Sequence, residues 1–97
     1  MAAVIEQHRA AVSSDLADLR ALATGELAPA QAVAVNLAIL VQAPDDAGAL
    51  TRLGRAHRRL GLREDAASAF GRALAIDPQN RIARKHFLEL AAELKAG

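Results

Sequence analysis

Apolar residues recur at three- and four-residue steps along most of this chain, and breaker residues cut the pattern into five segments. Gly25 and Pro29 close the first segment, Pro44 and Gly48 the second; Gly61 interrupts the third and Pro78 ends the fourth. Over 2–24, Val4/Ile5, His8, Val12, Leu16, Leu19 and Leu22/Ala23 form one helical stripe. We read one helix there, although Ser13-Ser14-Asp15 offers an N-cap that would split it into two. The segment 30–42, "AQAVAVNLAILVQ", follows Pro29, which suits a first helical turn. Only Gln31, Asn36 and Gln42 are polar there, and a helix that is apolar all round is expected to be buried.

Over 47–60, Leu50, Leu53, Gly54, His57 and Leu60 share one face, and Arg52, Arg55 and Arg59 the opposite one, with Arg58 at its edge. The segment 64–76 opens with Glu64-Asp65, which suits the positive end of a helix dipole, and carries Ala66, Phe70, Ala73 and Leu74 as its stripe. Asp77-Pro78 ends it, because the residue before proline is pushed out of helical geometry. Over 81–95 the stripe is Ala83, Phe87, Leu90, Ala91 and Leu94. Arg63 falls in the turn before the fourth segment and reads as bystander charge.

Composition supports an all-α fold. Hydrophobic residues make up 53% of the 97, yet Phe70 and Phe87 are the only aromatics. One small core of Ala, Leu, Val and Ile follows, in a single domain over 1–97. Alanine is the best helix former, and the strand formers Tyr and Trp are absent. The lack of cysteine excludes disulfides, zinc–thiolate sites and a thiol nucleophile, and fits a cytoplasmic setting. The N-terminal "MAAVIEQHRAAV" lacks the layout of a secretory signal. The longest apolar run, "AVAVNLAILVQA", falls short of the roughly 20 residues that span a bilayer.

Catalytic chemistry has little to work with. The serines are Ser13, Ser14 and Ser68, and the histidines His8, His57 and His86. No histidine pair brackets a carboxylate at helical spacing, and no Gly-rich phosphate loop occurs. His57 fits packing at a helix seam better than proton transfer. His86 beside Lys85 reads as a surface residue, and Glu64-Asp65 as a helix start rather than an acid pair. The expectation is a protein with no catalytic activity, cofactor or metal.

A shift of 34 residues lays Leu16 on Leu50, Leu19 on Leu53, Ala32 on Ala66, Leu40 on Leu74 and Pro44 on Pro78. Residues 47–80 resemble a tetratricopeptide repeat: Leu50, Leu53-Gly54, His57 in the usual aromatic place, Ala66, Phe70, Ala73 and Pro78 stand at the family's spacing. Residues 13–46 resemble a degenerate copy that keeps Leu16, Leu19, Ala32 and Pro44. It has Arg20 where the small glycine belongs and Asn36 where the phenylalanine belongs. Residues 81–95 resemble the first helix of a third repeat or the capping helix that ends such arrays; 1–12 lie outside the resemblance. The resemblance implies antiparallel helix pairs stacked in a short right-handed superhelix. Gly54 and Ala66 would let two helices approach closely, with Phe70 filling the space beside them. Neighbouring pairs must stack to bury their faces.

The resemblance also implies a peptide-binding concave face lined by the first helix of each pair. The matching positions are Gly48, Thr51, Arg52, Arg55 and Arg58/Arg59; then Ser14, Ala17, Asp18, Ala21 and Thr24; then Ile82, Lys85, His86 and Glu89. Thr51, Arg52, Arg55, Arg59 and Lys85 are thus the candidate partner-binding residues, the arginines able to grip carboxylates in pairs of hydrogen bonds. A solvated helix face is the plainer account of the same arginines. The family's chaperone-tail clamp uses a Lys/Asn/Asn/Lys/Arg set. The corresponding positions hold Ala17, Ala21, Arg52, Ile82 and His86, so chaperone C-termini are not the expected ligand.

A second candidate surface is the apolar helix 33–41. Val33, Leu37, Leu40 and Val41 are candidates for self-association, as in a homodimer, unless 1–12 folds back over them. Charge is unevenly spread: 1–46 carry six carboxylates and two arginines, 47–97 ten basic side chains and five acids. Such a molecule steers an acidic partner to its C-terminal half, or docks head-to-tail with a copy of itself. The acidic first half and the absence of Tyr and Trp for base stacking argue against nucleic acid.

Overall fold

The computed structural model describes residues 15–97, which are all helix and turn. Five helices follow in order: α1 (Leu16–Ala23), α2 (Pro29–Gln42), α3 (Ala47–Arg59), α4 (Arg63–Ile76) and α5 (Arg81–Ala96). The boundaries of α2 to α5 agree with the breaker pattern to within about one residue. The single helix read over 2–24 does not hold. Asp15 has an extended backbone (φ −70°, ψ 167°), and its carboxylate accepts the Asp18 N–H as the N-cap of α1. Val4/Ile5, His8, Val12 and Ser13-Ser14 lie outside the described residues.

Each later helix has its own start and stop. Pro29 opens α2; Ala28 has no side chain to cap it, but Gln31 Oε1 accepts the Ala28 N–H at 3.0 Å. Asp46 and Asn80 cap α3 and α5 by accepting the N–H of Ala49 and Ala83. After α3 the chain turns on Gly61, at φ +79°, a conformation glycine adopts without strain. The Leu62 N–H bonds back to His57 O and the Gly61 N–H to Arg58 O, satisfying carbonyls the helix end would leave bare.

The 34-residue period is written into the backbone. Helix α4 starts and ends 34 residues after α2, and α5 starts 34 after α3. Ala43 and Asp77 end their helices with nearly the same angles (φ −135°, ψ 79° and φ −131°, ψ 90°). Each donates its N–H to a carbonyl four residues back, Ile39 and Ala73. The fold is an all-α array of repeated helical hairpins.

Helix α3 lies at the centre, packed on α4 and α2; α1 covers α2, and α5 covers α4. The core runs through Ile39, Leu50, Leu53, Phe70, Ala83 and Leu90, all at or near complete burial. Phe70 lies against Gly54, where a Cβ would stand 2.8 Å from Phe70 Cζ. Phe70 also stacks on His86, ring centroids 4.8 Å apart and planes nearly parallel. Thus His86, read as a surface residue, is half-buried in the packing.

The first repeat solves the same position differently. Asn36 takes the place of Phe70 and is fully buried, but both ends of its amide are satisfied. Its Nδ2 donates to Ala32 O at 2.8 Å and its Oδ1 accepts from Arg52 Nε at 3.0 Å. Asn36–Arg52 and Phe70–His86 are equivalent pairs, each 16 residues apart: a hydrogen bond in one repeat and a ring stack in the next. Arg20, in place of Gly54, points outward and clasps Asp46 Oδ2 through Nε (3.1 Å) and Nη2 (2.9 Å).

Asp46 therefore joins α1 to the start of α3. Partial burial pushes its carboxyl pKa up, but the Ala49 N–H bond and the Arg20 and Arg52 guanidinium groups outweigh that and hold it below the usual 3.8. A carboxyl with a depressed native pKa stabilises the fold above its unfolded pKa and ceases to as pH falls through the native one. Asp46→Asn keeps an N-capping side chain but loses the charge. Its melting temperature is expected to fall below that of the wild type at neutral pH, and the gap to close below pH 3.8. Thermal melts followed by circular dichroism between neutral and strongly acidic pH check this.

The apolar helix is only partly buried. Ile39 and Leu40 are in the core, and Val33 packs against it. Leu37 is 47% exposed and Val41 82%. Leu40 is buried in the core and drops out of the self-association set. The proposed strip reduces to Leu37 and Val41, one turn apart. Among the described residues no helix is long and apolar enough to cross a membrane.

Candidate partner-binding groove

The basic face of α3 opens onto a cleft of about 820 Å³. One wall is the α1–α2 turn, Thr24 to Ala28; another is α2, at Ala32 and Asn36; the third is α3, at Arg52, Arg55 and Arg59. A smaller opening of about 310 Å³ adjoins it toward α5, bounded by Arg55, Arg58, Arg59 and His86. Arg55 and Arg59 belong to both and form the ridge between them. The three arginines assigned to one face by helical spacing therefore do line one groove.

Their states differ. Arg52 is half-buried, its Nε held by Asn36, while its charge acts on Asp46. Arg55 and Arg59 are exposed, and no carboxylate among the described residues pairs with either. Among the described residues the one acid on the groove wall is Glu26, in the α1–α2 turn, a contributor that repeat spacing alone did not single out.

Two expected members fall elsewhere. Thr51 is buried, because its hydroxyl donates to Ala47 O and accepts from Asn80 Nδ2, both at 2.8 Å. It ties α3 to the start of α5 and has no open face for a partner. Lys85 is exposed on α5 but lines neither opening; its neighbour His86 does.

Arg58, placed at the edge of the basic face, is the hub of a cross-helix network. Its Nη1 reaches Glu89 Oε1 (3.1 Å) and His86 Nδ1 (2.7 Å), and its Nη2 reaches Glu93 Oε1 (2.8 Å). Arg63, the first residue of α4 rather than a turn residue, stands 3.7 Å from the other oxygen of Glu93. Arg58 and Arg63 together balance Glu89 and Glu93. As the guanidinium can only donate, His86 Nδ1 accepts and the ring carries its proton on Nε2. Burial, then the nearby Arg58, lower the His86 pKa below 6.5, with Glu89 opposing and Arg55 and Lys85 adding to the fall. His86 is thus held neutral at pH 7.

No three His, Cys, Asp or Glu side chains among the described residues are placed to hold a metal ion. His57 is half-buried at the helix seam, with Nδ1 enclosed and unpaired among the described residues, away from both openings. What the groove offers is guanidinium donors facing solvent, a donor arrangement suited to anionic oxygen. Compared with known proteins, the chain matches no family model, no curated protein and no solved structure.

Proposed function

We propose that this chain is a non-catalytic, tetratricopeptide-like interaction module that binds an acidic peptide or protein segment across the α3 groove. The supporting observation is the pair Arg55 and Arg59: two exposed guanidinium groups with no acidic partner among the described residues, on the ridge between two adjoining openings. Other arginines nearby are spent on the fold, Arg20 on Asp46 and Arg58 on α5. Arg52, steadied by Asn36, extends the basic wall toward α2.

A fluorescein-labelled peptide rich in Glu and Asp tests this by anisotropy at low salt. Hydrogen bonds to charged groups contribute about 1.5–3 kcal/mol each, so Arg55→Glu/Arg59→Glu is expected to weaken binding by more than about tenfold. Arg72→Glu/Arg84→Glu, on exposed positions outside the groove, serves as the control. Equal loss in both variants would reduce the effect to net charge and sink the reading.

Exposure of Leu37 and Val41 supports a second reading, self-association through α2. A single monomeric mass by light scattering at high concentration would dismiss it.

A further inference from the structure

We propose that the end of the groove where α3 meets α5 is a phosphoryl-binding site, and that the acidic partner carries a phosphorylated serine or threonine that docks there. This rests on the interaction-module reading above and names the chemistry of its ligand.

The opening is walled by Arg55, Arg58, Arg59 and His86. Charge counting separates these four. Arg58 and Arg63 are matched by Glu89 and Glu93, so that network is neutral. Arg55 and Arg59 remain, one helical turn apart on the same side of α3. Like charges four residues apart on a helix repel and destabilise it. No carboxylate among the described residues forms an ion pair with either. The site therefore holds two positive charges with no ion-pair partner among the described residues, one helical turn apart and open to one ligand group.

A carboxylate or a phosphodiester brings one negative charge. A phosphomonoester brings nearly two, with three strong acceptor oxygens. Two guanidinium forks, each with paired N–H donors, match that charge and geometry better than either monoanion. His86 lines the same opening, and with Nδ1 taken by Arg58 its ring carries the N–H at Nε2. Phe70 fixes this ring from behind, so the wall is preformed. A nucleic-acid strand would need exposed aromatic faces and a longer run of cations. Phe70 is buried and Phe87 packs against the core.

The test uses three labelled peptides of one acidic sequence, with serine, phosphoserine or glutamate at the centre. At pH 7.5 and fixed ionic strength, the phosphoserine peptide is expected to bind at least about tenfold tighter than the serine peptide, the glutamate form falling between. Inorganic phosphate should displace it and shift the His86 ring Cε1–H signal in the wild-type protein. Arg55→Gln/Arg59→Gln, with its helicity checked by circular dichroism, should bind the serine and phosphoserine peptides alike. Equal affinity of the wild type for all three peptides, or a His86 signal unmoved by phosphate, overturns the phosphoryl site and leaves the interaction module standing. No binding of any peptide removes both. Tighter binding of a single-stranded RNA than of the phosphopeptide also overturns the proposal.

Discussion

Phe70→Ala is expected to leave the protein largely unfolded at 37 °C. Phe70 is fully buried and is the largest side chain in the core. It fills the space over Gly54 on α3 and supports the His86 ring of α5 from α4, so three helices lose their common filler at once. Deleting a buried phenylalanine costs about 3–5 kcal/mol, and a small domain has only about 5–15 kcal/mol in total. A domain this size is expected at the low end of that range. Thermal melts should show a fall of more than about 12 °C. A fall of only a few degrees would mean that the helices pack without this ring.

Gly54→Ala is the second large effect, and its sign is the informative part. Glycine inside a helix is normally a weakness, and alanine there gains about 1 kcal/mol. Here the added methyl would stand 2.8–2.9 Å from three ring atoms of Phe70. The ring is enclosed and cannot swing away, so overpacking of about 1–3 kcal/mol outweighs the propensity gain. Stability is expected to drop. Shortening the ring should relieve the clash, so Gly54→Ala should cost less in a Phe70→Leu background than in the wild type, by at least about 0.5 kcal/mol. Chemical denaturation of the four proteins of this cycle gives the coupling. A rise in melting temperature for Gly54→Ala alone would contradict the close approach of α3 and α4.

These two residues also show what the sequence could reveal. Leu53 and Pro78 carry the 34-residue repeat by spacing, Gly54 and Phe70 were singled out by the family resemblance, and proline and glycine punctuation placed α2 to α5. Local signals sufficed because each boundary is set by residues within one turn of it. Asp15 was one of three possible caps, and its extended backbone together with the bond from the Asp18 N–H identifies it as the cap of α1.

The groove was half legible. Helical periodicity put Arg52, Arg55 and Arg59 together, since it needs nothing beyond one helix. It set Arg58 at the edge of that face but could not give it its role, because its partners Glu89 and Glu93 lie 31 and 35 residues further on and meet it only through packing of α5. Thr51 looked like a surface residue because its neighbour Asn80 belongs to another helix's cap. Leu40 looked available because an all-apolar helix does not declare which side is covered. The Asn36–Arg52 bond did leave a trace: the pair has the same 16-residue spacing as Phe70 and His86, but its chemistry is polar, and apolar matching passes over it.

In the proposed reading, anionic partners bind at the ridge formed by Arg55 and Arg59. A two-dimensional amide NMR titration with the acidic peptide tests it most directly. Shifts confined to Arg52, Arg55, Arg59 and the facing turn at Gly25 and Glu26 are the predicted result. Shifts centred on Leu37 and Val41 of α2, or none at saturating peptide, would contradict it.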